Sequence, residues 1–223
     1  MSNHKILTLD NLSLQEYDSE AELIPLLTPE DEEEMINEEL PDSLPILPLR
    51  NMVLFPGVVI PITAGRDKSI KLINDANAAG KIIGVVAQKD EQDEDPTKDD
   101  IHNIGTVARI LRVLKMPDGN TTVILQGKKR FEIDSVVSED PYITASIKDF
   151  QESRPESKDT EFLAILESIK ELAIQIIKES PNIPSEATFA IKNIESQSFL
   201  INFVTSNMNL SVKEKQDLLA ISD

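Results

Sequence analysis

Apolar positions in this chain follow one rhythm up to about residue 150 and another beyond it. In the first stretch they form short runs broken by proline, glycine and clustered charge, the pattern of short strands and turns. Residues 44–62, LPILPLRNMVLFPGVVIPI, are the most concentrated case, with four prolines and Arg50 as their single charge. Each proline removes a backbone donor, which excludes a helix and a membrane span alike. LPILPL predicts an edge or first strand, because proline is tolerated where one side of the ladder is unpaired. Pro56 and Gly57 predict a turn, and VVIPI resumes an extended course. Short, bent strands in the wall of an irregular sheet or barrel suit this composition.

GRDKSIKLINDANAAG places Ile70, Ile73 and Ala76 or Asn77 at helical spacing, with Gly80 as a left-handed stop. IIGVVA, a continuous apolar run, predicts a buried strand. Two β-rich runs then flank PDGN, where Gly119 is available for a positive φ, so residues 104–133 predict a hairpin. Both faces of its first arm are mostly apolar, which predicts packing on both sides or apolar surface open to a partner.

Beyond QESRPESKD the spacing changes to three and four. Phe162, Ile165, Leu166, Ile169, Leu172, Ala173, Ile176 and Ile177 predict an amphipathic helix over 160–180, capped by Ser157 or Asp159 and stopped before Pro181. Two shorter helices are expected around SEATFAIKNI and SQSFLINFVTSN. A fourth opens on the capping-box pair Ser211 and Glu214. The chain therefore divides into a leader (1–43), a β-rich module (44–150) and a helical bundle (156–223).

Charge separates the leader from the rest. The net charge is −18, and residues 1–43 carry thirteen carboxylates against Lys5 alone. Such a segment repels itself and buries little, so it predicts a mostly disordered, solubilising leader; a basic partner or mimicry of nucleic acid is the alternative. Its apolar island LIPLL, at 23–27, is a candidate for docking onto a surface. Cysteine is absent, which excludes disulfides and thiolate chemistry and fits a reducing compartment, the cytoplasm being the simplest. No signal-peptide pattern opens the chain.

Catalytic chemistry has few candidates. His4 and His102 stand apart from obvious partners. QKDEQDEDPTKDD alternates Asp93 and Asp95 but lacks the glycine a calcium loop needs, so a solvated loop without metal is expected. LQGKKR resembles the end of a phosphate-binding loop, yet Thr122 stands where the first glycine belongs. Lys128, Lys129 and Arg130 are the compact basic cluster; short and without aromatic interleaving, they predict a solvated strand end, with nucleic acid not expected as a partner. No catalytic, cofactor-binding or metal-binding residue is assigned.

Taken together, LPILPLRNMVLFPGVVIPI, GRDKSI, VAQKDEQDEDP, IGTVARILRVLKMPDGN and LQGKKRFEI resemble the N-terminal domain of the ATP-dependent Lon protease family, over roughly Leu44 to Asp223. The resemblance implies an α+β fold: a small PUA-like β-barrel module with one helix, followed by an α-helical bundle. In the family this unit precedes an AAA+ ATPase module and a Ser-Lys protease module, neither of which follows here. The chain is then an excised piece or a natural short relative. The resemblance further implies recognition of unfolded, damaged or short-lived regulatory proteins, homohexamer assembly in the full-length parent, and ATP and Mg as cofactors of that parent only. A proline-broken apolar surface suits the holding of extended polypeptide. Candidate contacts are Leu54, Phe55, Pro56 and Val58 at the Pro-Gly turn and Met116 at the hairpin tip. Competing readings are a free-standing Lon-domain adaptor for protein or nucleic acid, and an independent enzyme on a PUA-like scaffold, against which the missing motifs weigh.

Overall fold

The computed structural model describes residues 6–7, 24–25, 27–117, 119–153, 159–180 and 186–222. The elements run β1 (Ile6–Leu7), β2 (Ile24–Pro25), α1 (Pro29–Asn37), β3 (Ser43–Leu49), β4 (Val59–Ala64), α2 (Asp67–Ala78) and β5 (Ile82–Ala87). They continue with β6 (Ile104–Lys115), β7 (Thr121–Ser138), β8 (Thr144–Asp149), α3 (Thr160–Glu179), α4 (Glu186–Asn193), α5 (Gln197–Asn207) and α6 (Val212–Leu219). β1 and β2 pair antiparallel with each other.

Six strands form a mixed sheet in the order β4-β7-β6-β5-β3-β8. β7 is long enough to pair with β4 and β6 along its first part and with β8 along its second, so the sheet curls back on itself. Register shifts in β6 and β7 supply the bends. β4 remains an edge, and the expected small barrel is a curled sheet with one free side.

β3 is the first strand of this sheet in chain order but not an edge: it pairs with β8 through Ser43–Pro45 and with parallel β5 through Ile46–Leu49. The change of partner explains how prolines fit. Ile46 N–H donates toward Ile143 on the β8 side, so by alternation the missing donor of Pro48 faces that side beyond the last β8 pair. The missing donor of Pro45 faces β5 one residue before that pairing begins. Pro61 lies in β4, whose outer side is open.

Alternation places Ile83, Val85, Ala108, Ile110, Val123 and Leu125 in one apolar cluster. Val86, Val107, Phe131 and Ile147 fall in a second. The first continues into the helices through Leu166, Ile191, Phe199 and Leu219, so sheet and bundle share a core. α2 covers it with Leu72, Ile73 and Ala76; Lys81, at φ 59°, takes the left-handed conformation expected of Gly80. The hairpin turn has Gly119 at φ 90° and Met116 N–H on the Asn120 carbonyl at 2.9 Å.

Asp159 caps α3 by accepting from Glu161 and Phe162, and the Ser211–Glu214 box caps α6. Three groups join bundle to sheet. Gln216 Nε2 donates to the Ile104 carbonyl at 2.9 Å, Ser153 N–H to Ser222 at 2.6 Å, and Arg130 Nη1 to the Leu219 carbonyl at 2.8 Å.

The acidic segment departs most from expectation. Residues 1–5, 8–23 and 26 of the leader lie outside the described residues, but α1 is a formed helix. Thr28 and Asp31 make a capping box, Pro29 occupies the first turn, and acidic residues line the helix start, where the dipole favours them. Leu27 and Met35 are buried in the main core, and their burial offsets the ordering entropy that carboxylates alone do not.

Candidate functional site

Between β4 and the loop after β3, Pro56 and Gly57 turn the chain sharply, with Gly57 at φ 79°. Gly57 N–H donates to the Gly127 carbonyl at 3.0 Å and Gly127 N–H to Val58 at 2.9 Å, tying the turn to β7. A side chain at 127 would stand 2.3 Å from the Phe55 carbonyl oxygen, so only glycine permits this approach. The LQGKKR stretch is therefore β-strand, packed where a phosphate would have to enter, and these residues do not fit a nucleotide.

Leu54, Phe55 and Val58 are core residues, exposed by 2%, 2% and 6%. Thr106 Oγ1, also buried, donates to the Leu54 carbonyl at 2.6 Å. In this conformation Phe55 underlies the groove, while Leu54 and Val58 are turned into the core. Pro56 stays half-buried at the rim, and Met116 is half-buried at the hairpin turn, away from this rim's lining. Pattern reading saw apolar residues beside a turn but not which of them point inward.

The turn forms one wall of a groove of about 480 Å³ between sheet and bundle, lined by Pro56, Lys128, Phe150, Phe162, Phe199 and Leu218 among others. Phe199 packs directly over Gly57 and tilts against Phe203, with ring centroids 5.8 Å apart. α5 presents it because Ser196 caps the helix, accepting from Phe199 N–H at 3.0 Å.

Lys128, Lys129 and Arg130 rim this groove instead of forming the solvated strand end their sequence predicted. Their side chains are only 14–16% exposed. Lys128 faces Glu38 at 3.6 Å, Lys129 meets Asp149 at 2.8 Å, and Arg130 Nε donates to Glu152 at 2.9 Å. Arg130 also stacks 4.5 Å from the Phe150 centroid. Charge spent on internal partners is not available for phosphates.

The second acidic loop folds around its own cations. Arg66 donates to Gln88 and to the Asp93 carbonyl, and Lys68 holds Asp95 at 2.7 Å. Burial, then Arg50, pulls the Arg66 guanidinium below its ordinary value. The hydrogen bond and charge of Arg50 hold the Glu94 carboxyl low. Among the described residues no cluster of three or more His, Cys, Asp or Glu is arranged to hold a metal.

Three leader residues that sequence reading did not assign to the groove line it, and a fourth pairs with its rim. Leu27 lies beside Gly57, and Met35 joins the same lining. Glu32 accepts from the hydroxyl of Ser196, and Glu38 faces both Lys128 and Arg109. The signal was present in TPED, a capping box flanked by Leu27 and Met35.

Residues 43–223 match the family described as the ATP-dependent protease La (LON) substrate-binding domain. The chain belongs to this Lon family. The Lon protease of Flavobacterium johnsoniae is 86% identical over 222 residues, covering 100% of this chain and 27% of the relative. That of Cytophaga hutchinsonii is 50% identical over 202 residues, covering 91% and 25%. This Lon domain thus spans about a quarter of the curated relatives it matches. The N-terminal domain of Mycobacterium avium complex Lon protease shares the fold, with a TM-score of 0.67 at 21% identity, over 81% of this chain and 91% of that one. A Lon N-terminal domain protein from Xanthomonas campestris aligns with a TM-score of 0.53 at 17% identity, over the same shares.

Proposed function

We propose that this Lon substrate-binding domain holds unfolded or damaged polypeptide in the groove between sheet and bundle. The observation that carries this reading is the groove itself. Aromatic and aliphatic side chains converge on a Pro-Gly shoulder, and buried Phe55 lies beneath it. Extended chains bind such surfaces through side-chain pockets, without any catalytic group. Pro56 is the direct contact at the shoulder, and Met116 is a second apolar contact at the hairpin turn.

In the longer proteins that these relatives represent, the held chain would pass to an ATPase that uses ATP and Mg and then to a Ser-Lys endopeptidase. That parent would work as a homohexamer in the cytoplasm. No helix among the described residues is long and apolar enough to cross a membrane.

The test uses reduced, carboxymethylated lactalbumin, a permanently unfolded probe, titrated against the 223-residue chain. Replacing Pro56 and Met116 together by serine weakens binding about fivefold, equivalent to about 1 kcal/mol of lost apolar contact, while thermal unfolding barely moves. Unchanged binding by a folded double variant removes both residues from the site.

A further inference from the structure

The chain's own leader forms one wall of the groove. Leu27 reaches the surface beside Gly57, where an added Cβ would stand 3.4 Å from its Cδ2. Met35 enters the same lining two helical turns later, and both are less than 9% exposed. Between them Glu32 accepts from Ser196, the residue that caps α5 and so aims Phe199 at the shoulder. At the far end Glu38 faces Lys128 at 3.6 Å and Arg109 at 3.7 Å. α1 thus presents two apolar anchors, with a carboxylate between them and another beyond the second.

We propose that α1 with Leu27 is a tethered pseudo-client, which takes up one side of the polypeptide groove and narrows it until a client segment displaces it. The displacing segment is an acidic amphipathic stretch with the same pattern: two apolar anchors eight residues apart and carboxylates that reach Ser196 and Lys128. This inference rests on the reading of the groove as the client site.

Physical chemistry favours a reversible strap. Four of the nine residues of α1, Glu30, Asp31, Glu33 and Glu34, are exposed carboxylates, which gain little from the fold. The ion pairs of Glu38, just past its end, with Lys128 and Arg109 are long and partly solvated, so they steer it more than they hold it. A tethered ligand lowers apparent affinity for a free one by the fraction of time the site stands open. Weakening the anchors raises that fraction.

The experiment uses the full chain and the unfolded lactalbumin probe. Leu27→Ser combined with Met35→Ser should tighten probe binding about tenfold, because the open fraction rises. A synthetic peptide of residues 27–39, added in trans, should compete with the probe on this variant, and a peptide with both anchors as serine should not. Glu32→Ala with Glu38→Ala leaves the core intact and should tighten binding by about threefold. Should the apolar variant fail to fold, this second variant decides alone. Equal probe binding by wild type and folded variants, with no competition by the peptide, overturns the strap and leaves the client site standing. Probe binding by none of the chains overturns the client site, and the pseudo-client with it.

Discussion

β7 and α3 are the two longest elements among the described residues, 18 and 20 residues, and both carry apolar positions at regular spacing, yet they are covered very differently. β7 has β4, β6 and β8 along its length, and Val123, Leu125 and Phe131 are sealed at 0% exposure. On α3 only Leu166 is buried, whereas Leu172 and Ile176 stand 59% and 60% exposed. A strand's alternation commits one whole face, here that of Val123, Leu125 and Phe131, while backbone hydrogen bonds at both edges fix its neighbours. A helix stripe commits only as much width as its neighbours cover, here α4 and α5 on one side. Apolar periodicity therefore identifies an element without fixing how much of it the fold buries.

Substitutions can sharpen this contrast. The largest effect belongs to Phe131→Ala, which empties a sealed position and should cost about 4 kcal/mol in urea unfolding. Leu172→Ala, the same kind of truncation on α3, should stay within about 0.5 kcal/mol. Comparable losses at the two sites would mean that α3 is buried in solution.

Arg130→Ala is next. It removes charged hydrogen bonds to the Leu219 carbonyl and Glu152 and the stacking on Phe150, at about 2 kcal/mol, and frees α6 from the sheet. Hydrogen exchange should show α6 amides exchanging faster while β7 stays protected. Lysine at 130 should recover little of this, since it lacks the planar fork.

The smallest effect concerns pH. Burial, with Lys89 second, holds the His102 imidazole below its ordinary value, while Asp217 opposes the shift. As pH falls, the unfolded chain takes up this proton first, so the stabilisation is complete above about 6.5 and declines below it toward the lowered folded value. Urea midpoints of His102→Asn should fall less steeply than wild type between about pH 7 and about pH 5.5. Parallel slopes would exclude a contribution from this histidine.

Local chemistry is what the sequence made legible. The hairpin around Gly119, the Asp159 cap and the Ser211–Glu214 box each depend on residues within four positions of one another. Less local facts stayed hidden. Pro45 and Pro48 signalled an edge or first strand; β3 is the first strand of its sheet, but interior, because its partner changes between the two prolines. Lys128, Lys129 and Arg130 looked solvated because Glu38, Asp149 and Glu152 are assigned to them only by the fold. The candidate site was half legible. Its shoulder was visible as Pro56 and Gly57, but alternation and tertiary packing turned Leu54, Phe55 and Val58 inward. The acidic count of the leader concealed a helix that two anchors are enough to dock.

Amide hydrogen exchange of α1 in the full chain, followed as unfolded lactalbumin is added to saturation, tests the displaced strap most directly. Displacement predicts that protection at residues 32–37 collapses while α5 keeps its own. Protection of α1 that persists or grows with the probe fully bound would contradict it.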